Sequence, residues 1–383
     1  MPPKLMLLLP AGHFGGAERV AFNLLQGIER FECTLLTQSA IMESFAGLYV
    51  NRLSLDEWGC ERPYDLSLWN SVRYAWAIAR VCRKSKPDVV LAFMHNGTFF
   101  ASISRQLGLL DTCLIGSIHG NITGYFRSLG RSPSRWEKMI IRTSLSVPDG
   151  VVVPSQGVAD DLVMQYSANS EKVKVITNGI DVEKVVRGCR DPLAGINKNK
   201  PWIVSACRLA AQKDFTTLLR AFRRVRQFKD ARLLLVGDGE QRSNIEHQVA
   251  EMGLGEDVVL VGFQENPFQY MAQADVLVLS SHYEGHPVSI IEAFALGIPQ
   301  VVTNCPSGPA ELIEDGVNGF LVGMGDWEAM ADRCLYLLEN PGERQRMSEA
   351  ALESAKDHCI EGMVDLYQTY LEGFVNGRSG VAR

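Results

Sequence analysis

Residues 276 to 297 of this chain read VLVLSSHYEGHPVSIIEAFALG, and three segments can be distinguished within them. The apolar run 276–279 predicts a strand of a parallel sheet that is buried on both faces. After a polar turn, Val288, Ile291 and Ala295 recur at helical spacing, and Gly297 suits the position that follows the end of a helix. The stretch therefore predicts a strand, a tight loop and a helix.

Two carboxylates flank this predicted helix start. Glu284 lies in the loop, and Glu292 lies about one turn into the helix, where its side chain points back toward the loop. The free N–H groups of a first helical turn favour an anion. The arrangement suits a ligand with hydroxyl groups on both sides of a diphosphate. The E-x7-E spacing alone is more typical of ordinary loop and helix carboxylates, so the interpretation depends on the residues around it.

Those residues resemble the donor-binding segment of glycosyltransferase family 4. The similarity lies in 284–293 (EGHPVSIIEA), 297–302 (GIPQVV) and 311–322 (ELIEDGVNGFLV), and a weaker similarity begins at Gly15. It thus covers most of the chain. It implies a retaining enzyme that uses a nucleotide sugar. It also implies an α/β protein of the GT-B fold, in which two doubly wound, Rossmann-like domains face a central cleft.

The resemblance assigns roles to both carboxylates. Glu284 is expected to hydrogen-bond the donor sugar as a catalytic residue, and Glu292 to hold the ribose hydroxyls. The remaining donor-binding positions of the segment are Gly285, His286, Pro287, Val288 and Ser289. His286 stands where an aromatic residue is common in the family, which puts its contact with the donor sugar in question.

Two cations follow the predicted strand 202–206. Arg208 and Lys213 lie five residues apart in a loop, so both could reach one diphosphate. An arginine fork grips phosphate oxygens in a bidentate way, and a lysine adds a mobile point charge. An isolated pair of this kind would be ordinary surface cations, but the matching family motif implies catalytic stabilisation of the leaving diphosphate. Cys207 departs from the glycine that is usual before the arginine.

Glycine-containing loops follow other predicted strands. Gly15 and Gly16 lie in a loop where the backbone can pass close to a phosphate before a helix begins. The spacing is not G-x-G-x-x-G, so the dinucleotide fingerprint of nicotinamide oxidoreductases is absent. The resemblance places Gly16 near the donor phosphates. It also places the loops of Gly237 and Phe263 near the nucleotide, the latter against the base.

Two predicted strands are followed by histidines. A single histidine in such a position is more often structural, but the resemblance implies that His119 is an active-site residue that orients the transferred sugar. His95 and Asn96 also follow a strand end, where open α/β sheets bind ligands. They are candidates for acceptor binding, and a structural loop histidine is an equally good interpretation of His95.

The predicted reaction uses no metal and no cofactor besides the nucleotide-sugar co-substrate. No D-x-D sequence occurs, and no residue stands out as a dedicated nucleophile, in keeping with the front-face mechanism proposed for the family. We predict transfer from a UDP-hexose or UDP-N-acetylhexosamine to a glycan or lipid-linked acceptor in polysaccharide biosynthesis. A nucleotide-sugar epimerase of the GT-B fold and a non-catalytic sugar-nucleotide-binding protein are the alternatives.

A chain of 383 residues exceeds the usual size of a single core, so we expect two domains. The predicted divisions are an N-terminal acceptor-side domain (1–185), a linker (186–200), a C-terminal nucleotide-sugar-binding domain (201–362) and a helix returning to the first domain (363–378). The predicted strands of the first domain are 5–9, 33–37, 89–93, 114–118, 150–153 and 173–176. Those of the second are 202–206, 232–236, 258–261, 276–279, 300–302 and 320–322.

The charge is unevenly distributed. The chain has a net charge of −6, but residues 1–185 carry 19 basic against 17 acidic residues. One basic cluster, grouped around Glu137, consists of Arg127, Arg131, Arg135, Lys138 and Arg142. It is either a solvated helix face or a surface that docks on an anionic membrane or a phosphorylated acceptor. The overall acidity argues against nucleic-acid binding.

Cysteine usage and hydropathy indicate the compartment. The nine cysteines are scattered and form no C-x-x-C motif, and no apolar run approaches the ~20 residues that span a bilayer. We therefore predict a reduced, cytoplasmic protein that can dock peripherally at the inner face of the membrane.

Overall fold

Two parallel β-sheets organise the chain in the computed structural model, which describes residues 2–12, 15–190 and 198–381. Each sheet belongs to its own unit. Unit 1 comprises Met1–Thr123, Ser132–Gly179 and Ile360–Arg383, and unit 2 comprises Gly124–Arg131 and Ile180–Cys359. The two-sheet α/β architecture agrees with the alternating pattern of apolar runs and amphipathic stretches in the sequence.

Unit 1 contains a seven-stranded sheet within the described residues, in the order β3-β2-β1-β4-β5-β6-β7. Its strands are β1 (Lys4–Leu9), β2 (Glu32–Thr37), β3 (Asn51–Ser54), β4 (Val89–Phe93), β5 (Cys113–Ser117), β6 (Gly150–Val153) and β7 (Val173–Val175). All neighbouring pairs are parallel. The six predicted strands are present, and edge strand β3 was not predicted.

The helices of unit 1 connect these strands. They are α1 (Gly16–Gly27), α2 (Ser39–Met42), α3 (Leu68–Ser85), α4 (Met94–Gln106), α6 (Arg135–Ser146), α7 (Gln156–Tyr166) and α16 (Ile360–Val381). Helix α5 (Ile122–Ser128) begins in unit 1, and its residues from Gly124 onward belong to unit 2. Helix α4 lies between α3 and α6, and all three pack on one core with inward side chains of the sheet.

Unit 2 contains a six-stranded parallel sheet within the described residues, in the order β10-β9-β8-β11-β12-β13. Its strands are β8 (Trp202–Ala206), β9 (Arg232–Val236), β10 (Val258–Gly262), β11 (Val276–Leu279), β12 (Gln300–Thr303) and β13 (Gly319–Val322). Its helices are α8 (Val182–Gly188), α9 (Phe215–Phe228), α10 (Arg242–Glu251), α11 (Phe268–Met271), α12 (Val288–Ala295), α13 (Pro309–Leu312), α14 (Trp327–Glu339) and α15 (Pro341–Ala355). All six predicted strands are present.

The chain passes from unit 1 to unit 2 between Gly179 and Ile180, six residues before the predicted end of the first domain at 185. The reason is packing: Ile180 and Val185 are buried in the core of unit 2, together with side chains of α11 and α12. The predicted linker 186–200 therefore begins inside α8, and its residues 191–197 lie outside the described residues. Near the C-terminus, α16 belongs to unit 1 and packs on α1.

Candidate active site

The loops that follow β8 and β9 lie in direct contact at the carboxyl edge of the unit 2 sheet. Gly237 has φ +139°, and a Cβ atom at this position would lie 2.0 Å from the carbonyl oxygen of Cys207. The N–H of Leu209 donates to the carbonyl of Asp238 at 3.0 Å. Glycine is thus required at position 237 for the two loops to approach each other.

The loop after β11 is fastened to the loop after β8 by polar side chains. The Ser280 hydroxyl donates to the carbonyls of Lys213 (2.6 Å) and Asp214 (2.9 Å). In the other direction, the Gln212 amide nitrogen donates to the carbonyl of Tyr283 at 2.7 Å. These bonds bring Lys213 to Glu284, although 71 positions separate the two in the sequence.

Lys213 and Glu284 form an ion pair with 2.6 Å between Nζ and Oε1. The side chains are only 14% and 8% exposed. The Ser281 hydroxyl donates to the same carboxylate oxygen at 2.6 Å, and the Gln212 amide donates to the other at 3.4 Å. Burial alone lowers the pKa of Lys213, but the Glu284 carboxylate and nearby thiols outweigh it, so the net pKa is raised and the ammonium stays charged.

Arg208 lies in the same loop with a different environment. Its guanidinium donates to Glu240 at 2.9 Å, and the two side chains are 45% and 51% exposed. Both predicted phosphate-binding cations therefore lie at the carboxyl edge of the unit 2 sheet, and each faces a carboxylate. Their predicted role in binding a diphosphate is compatible with these positions and stays a prediction.

Helix α12 begins as the sequence predicts. Pro287 precedes it as the N-cap residue, so the N–H groups of Val288 and Ser289 belong to the first turn, which has no intrahelical acceptors. Gly285 is buried against the loop after β12, where a Cβ atom at Gly308 would lie 2.7 Å from the Gly285 carbonyl oxygen. Glu292 is partly exposed on the same helix.

His286 is buried, with 4% of its surface exposed, and its ring lies 5.6 Å from that of His358 between centroids. Burial and the neighbouring His358 lower the pKa of His286 to about 3, so the ring is neutral at physiological pH. Since the side chain packs inside unit 2, a donor contact at this position would come from the main chain.

Phe263 follows β10 and is 67% exposed. The preceding residue, Gly262, has φ +83° and accepts a hydrogen bond from the N–H of Gly237 at 2.9 Å. This contact ties the loop of Phe263 to the loop that packs on Cys207. An aromatic ring exposed beside these loops suits the predicted contact with a nucleobase.

His119 in unit 1 is held by Ser117 and Phe93. Its Nε2 lies 2.8 Å from the Ser117 hydroxyl, which lies 3.3 Å from the Tyr367 hydroxyl. Its ring stacks on Phe93 with 4.8 Å between centroids. Its buried Nδ1 forms no hydrogen bond with any described residue. Burial lowers the pKa of His119 to about 4, so the imidazole is neutral near pH 7.

The other predicted residues of unit 1 have varied environments. Gly15 is the N-cap residue of α1, and a Cβ atom at Gly16 would meet nothing within 4 Å. His95 is exposed after Met94, which has φ +61°. Asn96 is buried, and its amide nitrogen donates to the carbonyls of Pro10 (3.0 Å) and Pro63 (2.9 Å), so its side chain holds two loops.

The sequence analysis did not predict the polar residues that position Glu284 and His119. Gln212 and Ser281 bond to Glu284. Ser117 bonds to His119, and Tyr367 bonds to Ser117. The only available signal was a serine at or just after the end of an apolar strand. The tyrosine lies 250 positions from Ser117, so only the folded chain brings them together.

The predicted basic cluster is divided between the units. Arg127 and Arg131 belong to unit 2, whereas Arg135, Lys138 and Arg142 are exposed on α6 of unit 1. Among the described residues, no helix is both long enough and apolar enough to cross a bilayer. Nor does any group of three or more His, Cys, Asp or Glu within those residues have the arrangement of a metal site.

Two family models match the chain. Residues 14–184 match the model described as Glycosyltransferase Family 4, and residues 192–354 match the model of Glycosyl transferases group 1. The chain is also 26% identical over 92% of its length to the N-acetylgalactosamine-N,N'-diacetylbacillosaminyl-diphospho-undecaprenol 4-alpha-N-acetylgalactosaminyltransferase of Campylobacter jejuni, and covers 95% of that protein.

Solved structures show the same fold. Sucrose-phosphate synthase from Thermosynechococcus elongatus superposes with a TM-score of 0.82 at 18% identity, covering 98% of this chain and 100% of that one. The Anabaena protein HepE in complex with UDP-glucose gives a TM-score of 0.78 at 19% identity, covering 97% and 99%. With the two parallel sheets, these likenesses confirm the predicted GT-B class of two Rossmann-like α/β domains.

Proposed function

Since this chain belongs to glycosyltransferase family 4, we propose that it transfers a hexose or N-acetylhexosamine from a UDP-linked donor to a hydroxyl of a lipid-linked glycan, with retention of anomeric configuration. The Campylobacter relative, whose name describes transfer to a diphospho-undecaprenol-linked saccharide, supports this acceptor class. The Anabaena complex with UDP-glucose supports the choice of nucleotide.

The observation that carries the donor assignment is the buried Lys213–Glu284 pair at the carboxyl edge of the unit 2 sheet. Open α/β sheets bind their ligands outside this edge. The pair offers a cation for a phosphate oxygen and, next to it, a carboxylate for a sugar hydroxyl. A glycosyl diphosphate carries a phosphate oxygen on one side of its anomeric carbon and sugar hydroxyls on the other.

The difficult step is departure of the nucleoside diphosphate, because negative charge accumulates on the leaving phosphate. In our proposal Arg208, Lys213 and the first-turn N–H groups of α12 stabilise that charge, with no divalent ion required. Glu284 accepts hydrogen bonds from the donor sugar, and Glu292 accepts them from the ribose. Gly15 and Gly16, at the start of α1, stay predicted contacts of the donor phosphates.

His119 acts on the sugar in this scheme. Its ring is fixed by Phe93 and Ser117, and its Nδ1 is without a partner among the described residues. A neutral imidazole whose other nitrogen is already bonded can give or take one further hydrogen bond at a fixed position. We assign that bond to a donor-sugar hydroxyl, which would orient the anomeric carbon toward the acceptor.

A lipid-linked acceptor requires the enzyme to work at a bilayer surface. The basic cluster of residues 127–142 has the charge to approach anionic lipid phosphates, which attract juxtamembrane cations by roughly 1 kcal/mol per Lys or Arg. We therefore propose peripheral docking at the membrane, with Arg135, Lys138 and Arg142 of α6 facing the lipid headgroups.

A screen of nucleotide sugars tests this function. The purified protein is incubated with individual UDP- and GDP-sugars in EDTA, without acceptor, and the released nucleotide is quantified. We expect slow UDP release from one donor, lost in Lys213→Ala. Conversion of the donor into its epimer would instead establish the epimerase, and binding without turnover, even with lipid-linked acceptors, would establish a binding protein. No binding of any nucleotide sugar would refute the proposal.

A further inference from the structure

Helix α3 exposes a stripe of large apolar side chains. We call Leu68, Trp69, Val72 and Trp76 the α3 stripe; they are 64%, 84%, 39% and 44% exposed. The spacing 68/69, 72 and 76 places them on one face of the helix. The opposite face, which includes Tyr74 and Ile78, is buried in the core. Four contiguous exposed side chains of this size, two of them tryptophans, mark an interaction surface rather than scattered surface residues.

The charged residues of helix α3 are all basic. Helix α3 contains no aspartate or glutamate, and it exposes Arg73, Arg80, Arg83 and Lys84. The Arg80 guanidinium lies over the rings of Trp58 (4.8 Å) and Trp76 (5.1 Å). The nearest acids in the sequence, Asp65 and Asp88, lie three residues before and three residues after the helix. The partner of this face therefore combines an apolar layer with negative charge.

A second helix of the same layer carries a similar surface. Helices α3 and α6 flank α4, and each is a crossover between parallel strands. Crossover helices run antiparallel to the strands, so the first turns of α3 and α6 both lie toward the carboxyl edge of the unit 1 sheet. Helix α6 exposes Trp136 (45%) and Met139 (41%) among its cations. Apolar and basic side chains thus recur on both sides of α4.

We propose that the α3 stripe inserts into the headgroup and acyl boundary of an anionic bilayer, while the cations of α3 and α6 contact lipid phosphates. Tryptophan favours this boundary because its ring is apolar and its N–H is polar. An amphipathic helix with a basic polar face binds by apolar burial together with electrostatic attraction. The inference deepens the proposed function and rests on its bilayer-bound acceptor, to which it adds an apolar anchor.

Vesicle co-sedimentation tests the anchor. The wild type and the double variant Leu68→Ser/Trp69→Ser are compared on phosphatidylcholine vesicles with and without phosphatidylglycerol. Both residues are mostly exposed, so the variant should fold normally, and circular dichroism checks this. Phe228→Ser is the matched control, since Phe228 is 64% exposed on α9 of unit 2. We expect the affinity of the double variant for anionic vesicles to fall at least about tenfold, and the control to bind as the wild type does.

Salt separates the anchor from the basic cluster. Charge attraction at the surface decays over about 10 Å at 0.1 M salt, whereas apolar insertion persists. Wild-type binding should therefore fall only in part as salt is raised, and the residual should vanish in the double variant. Wild-type affinity in the double variant overturns the anchor but leaves charge-based docking intact.

Two further outcomes would also overturn the proposal. If the wild type binds no vesicle, bilayer docking fails, while turnover of a water-soluble acceptor analogue would show that the transferase function survives. Light scattering could instead show that the wild type is a dimer and the double variant a monomer. If the double variant also binds vesicles as the wild type does, a second copy of the chain covers the stripe.

Discussion

The Nζ of Lys213 lies 2.6 Å from Oε1 of Glu284, and both side chains are almost entirely buried at the carboxyl edge of the unit 2 sheet. Each charge compensates the desolvation of the other. In the proposed reaction the donor takes over both partners, because its phosphate meets the ammonium and its sugar hydroxyl meets the carboxylate. Stability and catalysis should therefore depend on the same two side chains.

Removal of Lys213 and removal of Arg208 should lower the free energy of unfolding by different amounts. Lys213→Ala leaves a buried carboxylate unpaired and should lower the free energy of unfolding by about 3–5 kcal/mol. Arg208→Ala breaks an exposed pair and should cost less than about 1 kcal/mol. Both variants should reduce kcat by about 10- to 100-fold or more. Urea denaturation and steady-state kinetics measure the two effects. Equal stability losses would contradict the assigned burial, and wild-type turnover would remove the residue from the mechanism.

The Ser117 hydroxyl should position His119. Ser117→Ala removes the partner of Nε2 and leaves the ring free to reorient, so we expect kcat to fall about tenfold with little change in KM for the donor. Ser117→Thr keeps the hydroxyl and should restore most of the activity. Loss of activity in both variants, or a change confined to KM, would show that the serine acts only through packing in β5.

Gly237 should be intolerant of a side chain for steric reasons. Gly237→Ala places a Cβ atom against the Cys207 carbonyl, so the loops after β8 and β9 must separate and move Arg208. We expect a loss of about 1–3 kcal/mol in stability and weaker UDP binding by calorimetry. Gly253→Ala is the control, because Gly253 has φ +70° with open space around it. It should lose stability from backbone strain alone and bind UDP normally. Equal UDP affinity in both variants would refute the steric argument.

Acidification should destabilise the protein through its buried histidines. Burial lowers the pKa of His119 to about 4 and that of His286 to about 3, against ~6.5 in an unfolded chain. Between about pH 3 and about pH 6.5 the unfolded state thus binds more protons, so stability falls as the pH falls through this window. Above about pH 6.5 these two groups contribute no pH dependence.

Histidine variants separate this effect from the titration of carboxylates. His286→Gln should show a shallower loss of unfolding free energy on acidification than the wild type, as measured by urea denaturation across that range. His247→Gln is the control, because it removes a histidine that is 71% exposed on α10 and so isolates the effect of burial. An identical slope in His286→Gln and the wild type would show that burial of His286 does not drive the pH dependence.

Much of the fold could be predicted from apolar runs alone, because parallel strands buried on both faces have no polar alternation to conceal them. Strand β3 is the exception. Its sequence is Asn51-Arg-Leu-Ser54, it lies at the sheet edge, and only Ser54 is buried, so no apolar run marks it. The domain boundary was also placed too late, because the short amphipathic helix α8 carries little signal of which core buries Val185.

The sequence predicts the residues of the candidate site but not the contacts between them. The sequence pattern places Arg208, Lys213 and Glu284 after strands, but it contains nothing that pairs Lys213 with Glu284 or Arg208 with Glu240. These pairs depend on which loops adjoin at the sheet edge, and therefore on the strand order β9-β8-β11. Similarly, the burial of His286 follows from its packing against His358, 72 residues later.

The most direct test of the account is a crystal structure with the bound sugar nucleotide, grown in EDTA. We predict that its diphosphate contacts Arg208, Lys213 and the first-turn N–H groups of α12, with the ribose on Glu292 and no divalent ion. A diphosphate bound away from Arg208 and Lys213, or one that binds only when a divalent ion is restored, would contradict the account.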